Sequence, residues 1–370
     1  MFAVLRVLIP ALLSTSFLTA TVFAVPRPVG HAEHRGHVHG PGCAHQRGAV
    51  IYPDDLVGAG MVAQWAQWLK SGRLNYLGLH GPTPQAGPHG PGVLSFLGSE
   101  TQRQLVAAAA TLSVSIEYEL HSFGYLLPRE LFKQHPEYFR QDKSGKRNAD
   151  VNLCTGSAAT LAIASENAVK LALRLNQTTP RFHFWQDDGG GDAWCSCPLC
   201  KALSPSDQYT RALNSLVAAL QRQLGADAAL SYLAYSDTID PPSAVVPHSG
   251  LFLEYAPISR NLSRPVWAQP ETAAQLLQWA DSGWNMTRAQ VLDYWLDDSK
   301  ASSWKRGRQA KLPFHPKVIA EDATFYHGDI GFGSITTFGA WLNQTYVQQF
   351  GQPPFAQFGE ALCPAATVSN

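Results

Sequence analysis

The chain has 370 residues, and its 28 Lys+Arg balance 28 Asp+Glu, with only 15% of residues charged. It therefore lacks the excess of either sign that draws proteins to nucleic acid or anionic lipid. With 45% hydrophobic and 11% aromatic residues, including 10 Trp and 12 Tyr, it is too apolar to be disordered and long enough to bury a large core.

Residues 1–24 combine Arg6, an apolar run broken by Pro10, and a small-residue exit at Val22-Phe23-Ala24. That layout predicts a signal peptide cleaved after Ala24, and hence a secreted or periplasmic protein. No later segment has the roughly 18 uncharged apolar residues that a membrane span requires. Residues 25–48 are rich in Pro, Gly and His, with His31, His34, His37, His39 and His45 around Cys43. They read as a linker whose imidazoles could bind transition metals only loosely. Four Asn-x-Ser/Thr sequons, at Asn176, Asn261, Asn285 and Asn343, are glycosylation sites only in a host that modifies them.

From residue 49 to 360, short apolar runs alternate with helical stretches, which predicts one domain of successive βα units, followed by a tail at 361–370. The expected strands are 50–52, 74–79, 112–119, 181–186, 229–235, 251–255, 291–295 and 334–338. Helices are expected at 56–70, 101–110, 158–175, 207–224, 271–281, 316–326 and 342–350. Between strands five and six, Pro241, Pro242 and Pro247 stand where a helix should be. Eight strands in this length predict an α/β fold of the (β/α)8 barrel type, irregular at that point, with an open doubly wound sheet as the alternative.

In such a barrel the active site lies at the C-terminal strand ends. Those ends carry His80, Glu117, Glu119, His121, Asp187, Asp188, Tyr235, Asp237, Glu254, Tyr255, Asp293, Tyr294, Asp297 and Asp298. Acids mixed with aromatics such as Trp185 and Trp194 suit a glycosidase, which protonates a leaving oxygen and stacks a sugar face. Trp185, Trp194, Tyr235 and Tyr255 are expected to line one pocket with His80, Glu119, His121 and Tyr294 as substrate contacts.

Two stretches carry a resemblance. The first runs from His121-Ser122-Phe123 through Leu127-Pro128, Leu131-Phe132 and His135-Pro136-Glu137-Tyr138-Phe139 to Gly145-Lys146-Arg147 and Leu153-Cys154-Thr155. The second is Gln186-Asp187-Asp188-Gly189 leading into Cys195-x-Cys197-x-x-Cys200. Together they resemble the family called domain of unknown function 4838, whose characterised branch is glycoside hydrolase family 163, endo-β-N-acetylglucosaminidases acting on N-glycans. The resemblance implies a barrel, a glycan substrate and hydrolysis assisted by the sugar's own 2-acetamido group.

Such hydrolysis needs one carboxylate to orient the amide and another to protonate the leaving oxygen. Asp187 and Asp188 are the expected catalytic pair, brought to one side by a bend at Gly189, Gly190 and Gly191, with Glu254 the reserve acid. An Asp-Gly turn is the competing structural reading. No catalytic metal or cofactor is expected. Cys154, Cys195, Cys197 and Cys200 form a structural cluster, either disulfide-bonded or holding Zn²⁺. The competing functions are an inactive glycan-binding barrel and a secreted metal-binding protein.

Overall fold

A computed structural model describes residues 42–81, 92–175, 177–189, 192–305 and 307–363. The expected leader, the histidines at 31–39, Asn176, Gly190, Gly191 and the tail beyond 363 lie outside the described residues. The eight expected strands form as β1 (Gln46–Ile51), β2 (Tyr76–His80), β3 (Ser115–His121), β4 (Arg181–Trp185), β5 (Ala229–Ala234), β6 (Leu251–Tyr255), β7 (Gln290–Asp293) and β8 (Ser334–Phe338). Each pairs in parallel with the next, and β8 pairs with β1, closing the (β/α)8 barrel. Helices cover its outside, so strands such as Tyr76–His80 are buried along their whole length.

Local chemistry sets the helix boundaries. Ser99 caps the helix Glu100–Leu112 by accepting from Gln102 N at 3.1 Å, and Ser204 caps Pro205–Leu224 by accepting from Asp207 N at 3.0 Å. Pro205 occupies the first turn of its helix, where a missing N–H costs nothing. The helix expected at 316–326 stops at Ala323 and continues as wider turns over Thr324–Ile330. A further helix, Phe355–Leu362, follows β8, and a disulfide joins Cys43 to Cys363 beside it.

Between β5 and β6 the proline-bearing stretch is indeed not helical beyond the turn Ser236–Thr238. It is held from outside: Asp207 Oδ1 accepts from Ser243 N at 3.0 Å, Ala244 N at 2.7 Å and Val245 N at 2.9 Å. One carboxylate thus satisfies three backbone donors that a helix would otherwise have paired.

Inside the barrel, side chains alternate by parity. Glu117, Glu119 and His121 of β3 face inward, while Tyr118 turns out and accepts from Gln102 of the helix Glu100–Leu112 at 2.9 Å. Close approach is needed on β2, where a Cβ on Gly78 would fall 2.8 Å from Glu119 Oε1 and 2.9 Å from Val50 Cγ2. Glycine there gives the Glu119 side chain its space.

Candidate active site

The barrel interior is polar at mid-height. His183 on β4 places Nε2 2.7 Å from Glu117 Oε2 and Nδ1 2.7 Å from Glu254 Oε2, and all three side chains are fully buried. An ionised carboxylate can only accept, so both imidazole nitrogens donate and His183 is a cation. Burial opposes that charge, but the Glu254 charge and the hydrogen bonds to Glu117 and Glu254 outweigh it and push the imidazole up to about 10. Burial also works to raise Glu117, yet its bond to His183, with the His183 and Arg181 charges, holds it below the usual carboxylate range.

Glu119 has the opposite fate. Tyr76 and Gln290 donate to its Oε1, while the buried Oε2 has no hydrogen-bond partner among the described residues. Burial, reinforced by the Glu254 charge, pushes it up to about 8, so at neutral pH it is a neutral acid. Glu254 receives further bonds from Trp185 Nε1 at 2.8 Å and Gln290 Nε2 at 3.2 Å. Neither Glu119 nor Glu254 reaches the rim: both are 0% exposed, and Trp185, itself bonded to Glu254, also sits in the barrel. The expected substrate contact at Glu119 and the reserve acid at Glu254 are therefore interior struts of the barrel in this structure.

Above them lies an aromatic floor. His80 packs 5.2 Å from Tyr52, 5.5 Å from His121, 5.2 Å from Trp185 and 5.3 Å from Phe338, between ring centroids. Phe338 in turn stacks on Tyr294 at 5.3 Å. His80 Nδ1 donates to the Glu119 carbonyl at 2.7 Å; burial, with the neighbouring His121, holds this imidazole down at about 3 and neutral. His121 Nδ1 lies 2.5 Å from the Gln186 carbonyl oxygen, and the side chain is half-buried at the opening.

The two aspartates after β4 part company. Asp187 is turned inward, taking hydrogen bonds from Gly124 N at 2.9 Å and Asn152 N at 2.7 Å and an ion pair with Arg129. Asp188 is exposed and accepts from the Tyr235 hydroxyl at 3.3 Å. The expected pair thus does not face the opening together, because Asp187 is committed to loops more than 30 residues upstream. Tyr294 lies close by: burial foremost, then the charges at Tyr235, Asp297, Asp293 and Asp188, raise its hydroxyl well above the ordinary value. Asp297 is buried beside it, and burial raises its carboxyl to about 6 against the Ser299 hydroxyl bond that lowers it.

Two expected aromatics point elsewhere. Tyr255 follows inward-facing Glu254 and so faces outward, donating to Gln275 Oε1 of the helix Pro270–Asp281 at 3.2 Å. Trp194, in the loop after β4, is buried and packs 6.1 Å from Tyr209 of the helix Pro205–Leu224. The expected single pocket of Trp185, Trp194, Tyr235 and Tyr255 does not form. Sequence reading passed over His183, Tyr52 and Phe338; the alternation Arg181-Phe182-His183-Phe184-Trp185 was the available signal, since it puts His183 on the same face as Trp185. A surface groove of about 440 Å³, lined by Ser236, Ile239, Ser259, Arg264 and Gln275 among others, opens beside this mouth.

A family model described as a domain of unknown function (DUF4838) matches residues 94–296. No curated protein sequence matches the chain. Solved structures do. A β-N-acetylhexosaminidase from Bacteroides fragilis is 11% identical with a TM-score of 0.54, over 88% of this chain and 68% of that one. The PgaB (BpsB) glycoside hydrolase domain from Bordetella bronchiseptica is 14% identical with a TM-score of 0.53, over 87% and 99%. A GH42 β-galactosidase from G. stearothermophilus is 14% identical with a TM-score of 0.52, over 88% of this chain and 57% of that one. At these identities the likeness is one of fold, a barrel of the glycosidase type.

Proposed function

For a chain that belongs to the DUF4838 family and folds as a glycosidase-like barrel, we propose that it is a glycoside hydrolase cutting glycans that contain N-acetylglucosamine. The observation that carries the reading is Asp188: an exposed carboxylate just beyond the C-terminal end of β4, held by Tyr235 at the edge of an aromatic floor. Barrel enzymes place their chemistry at these strand ends, and ring faces such as Phe338, Tyr294 and Tyr52 suit the apolar face of a sugar.

In this reading the Asp188 carboxylate accepts the acetamido N–H and turns the amide oxygen toward the anomeric carbon, where it displaces the leaving group. The leaving oxygen takes its proton from Asp297, the buried carboxyl near Tyr294, whose value of about 6 suits a general acid. Asp187 acts as a positioning residue, since Arg129, Gly124 and Asn152 fix the backbone from which Asp188 projects. His121, Tyr235 and Tyr294 contact sugar hydroxyls. Export from the cytoplasm belongs to the same reading and is supported by the Cys43–Cys363 disulfide.

The test is turnover on aryl 2-acetamido-glycosides and intact N-glycans. Asp188→Asn is expected to lower kcat by about 10²–10⁴-fold with unfolding unchanged, and kcat should fall as pH rises through about 6, as Asp297 loses its proton. Full activity in Asp188→Asn refutes the site. Glycan binding by a wild-type protein that turns over no substrate would instead make it a glycan-binding barrel.

A further inference from the structure

All six cysteines fall within the described residues, and they divide into two chemistries. Cys43 and Cys363 are joined by a disulfide. Cys154, Cys195, Cys197 and Cys200 remain thiols, each buried. Their four sulfurs lie within 4.8 Å of one another. The Cys154 and Cys197 sulfurs are 3.6 Å apart, well beyond the roughly 2.05 Å of a disulfide bond. Sulfurs at the corners of a tetrahedron with metal–sulfur bonds of about 2.3 Å stand roughly 3.8 Å apart, which is the observed scale.

The surroundings suit thiolates. Gln141 N donates to Cys195 Sγ at 3.3 Å, and the Arg147 Nη1 lies 3.9 Å from the same sulfur. Thr155 Oγ1 stands 3.6 Å from Cys200 Sγ. One divalent ion on four thiolates leaves two negative charges, which these donors and the Arg147 cation offset. The cluster offers sulfur only, a donor set that suits Zn²⁺ in a closed, non-catalytic site. A chain whose other two cysteines are oxidised also needs a reason for four adjacent thiols to stay reduced, and metal ligation supplies one.

We propose that Cys154, Cys195, Cys197 and Cys200 bind one Zn²⁺ as a tetrathiolate, releasing their four thiol protons, and that this ion clamps the loop after β4. The clamp has a defined reach. Asn152, two residues before Cys154, donates to the Ala193 carbonyl at 3.1 Å and from its backbone to Asp187. Ser196 N donates to the Gln141 carbonyl at 2.6 Å, and Cys154 N to that of Tyr138 at 3.0 Å. The metal therefore locks the segment 138–155 to the loop that follows Asp187, whatever reaction the barrel performs.

Metal analysis of the purified full chain tests this. About one zinc per chain should survive dialysis against a mild chelator, and a mercurial titrating the thiols should release it as four thiols react. Replacing the zinc by Co²⁺ should give the visible ligand-field bands and thiolate-to-cobalt charge transfer of a tetrahedral tetrathiolate site. Cys197→Ser should lose those bands, and the double variant Cys43→Ser/Cys363→Ser should keep them. Loosely held zinc released without thiol titration would place the metal on the histidines and overturn the proposal. So would metal-free wild-type protein, whether its mass shows two further disulfides or its four thiols react freely in the folded state; this reading does not depend on any variant folding.

Discussion

Replacing His183 by Ala would leave Glu117 and Glu254 facing the same space inside the barrel with no cation between them. Removing one partner of a buried ion pair costs about 3–5 kcal/mol, because the remaining charge has lost both its partner and its water. The proton affinity of the imidazole leads to the same scale. Its rise from 6.5 in the unfolded chain to about 10 corresponds to roughly 5 kcal/mol at about 1.36 kcal/mol per pKa unit. At about 2 °C per kcal/mol for a large domain, the melting temperature should fall by roughly 6–10 °C. Because the folded state holds this proton more tightly, the stabilisation is complete below 6.5 and is lost as pH rises through about 10. Denaturant unfolding followed by circular dichroism near pH 6, where the bridge is fully protonated, should therefore show the full cost of His183→Ala. A cost below about 1 kcal/mol would refute the imidazolium bridge.

Glu119 gives a second pH signature. Its folded value of about 8 against 4.5 unfolded means that stability falls as pH rises between these values, so Glu119→Gln should match wild type in acid and exceed it above pH 8; parallel stability–pH curves would count against the neutral acid. Asp207→Ala removes the acceptor of three backbone N–H groups and should cost about 1.5–3 kcal/mol, with hydrogen exchange accelerating first in residues 243–245. Cys43→Ser/Cys363→Ser should cost about 2–5 kcal/mol, and reductant, which lowers the melting temperature of wild type, should leave the variant unchanged.

The strands were legible because each is a short apolar run bounded by turn residues, and their number pointed to a closed barrel. The proline-bearing interval after β5 was also legible as non-helical, since Pro241 and Pro242 lack the donors a helix needs. That Asp207 holds this interval was not, because the carboxylate lies more than 30 residues upstream. The helix expected from 207 begins at Pro205, behind the Ser204 cap, and the change of helix type at Ala323 was not expected.

The same division runs through the site. Sequence by itself pointed to the barrel, to acids and aromatics near the ends of its strands, and to three cysteines just after the Asp187-Asp188 step, because these follow from periodicity and spacing along the chain. Only the tertiary structure decided which acids are sealed and which are open. Alternation requires Glu254 and Tyr255 to face opposite ways, but the closure of the barrel chose Glu254 for the inside, where His183 neutralises part of its charge. Asp187 and Asp188 are adjacent and chemically alike; Arg129, Gly124 and Asn152 draw in the first, and Tyr235 holds the second in the open. Those partners come from distant parts of the chain, and the environment of a charge is set by what folding brings around it.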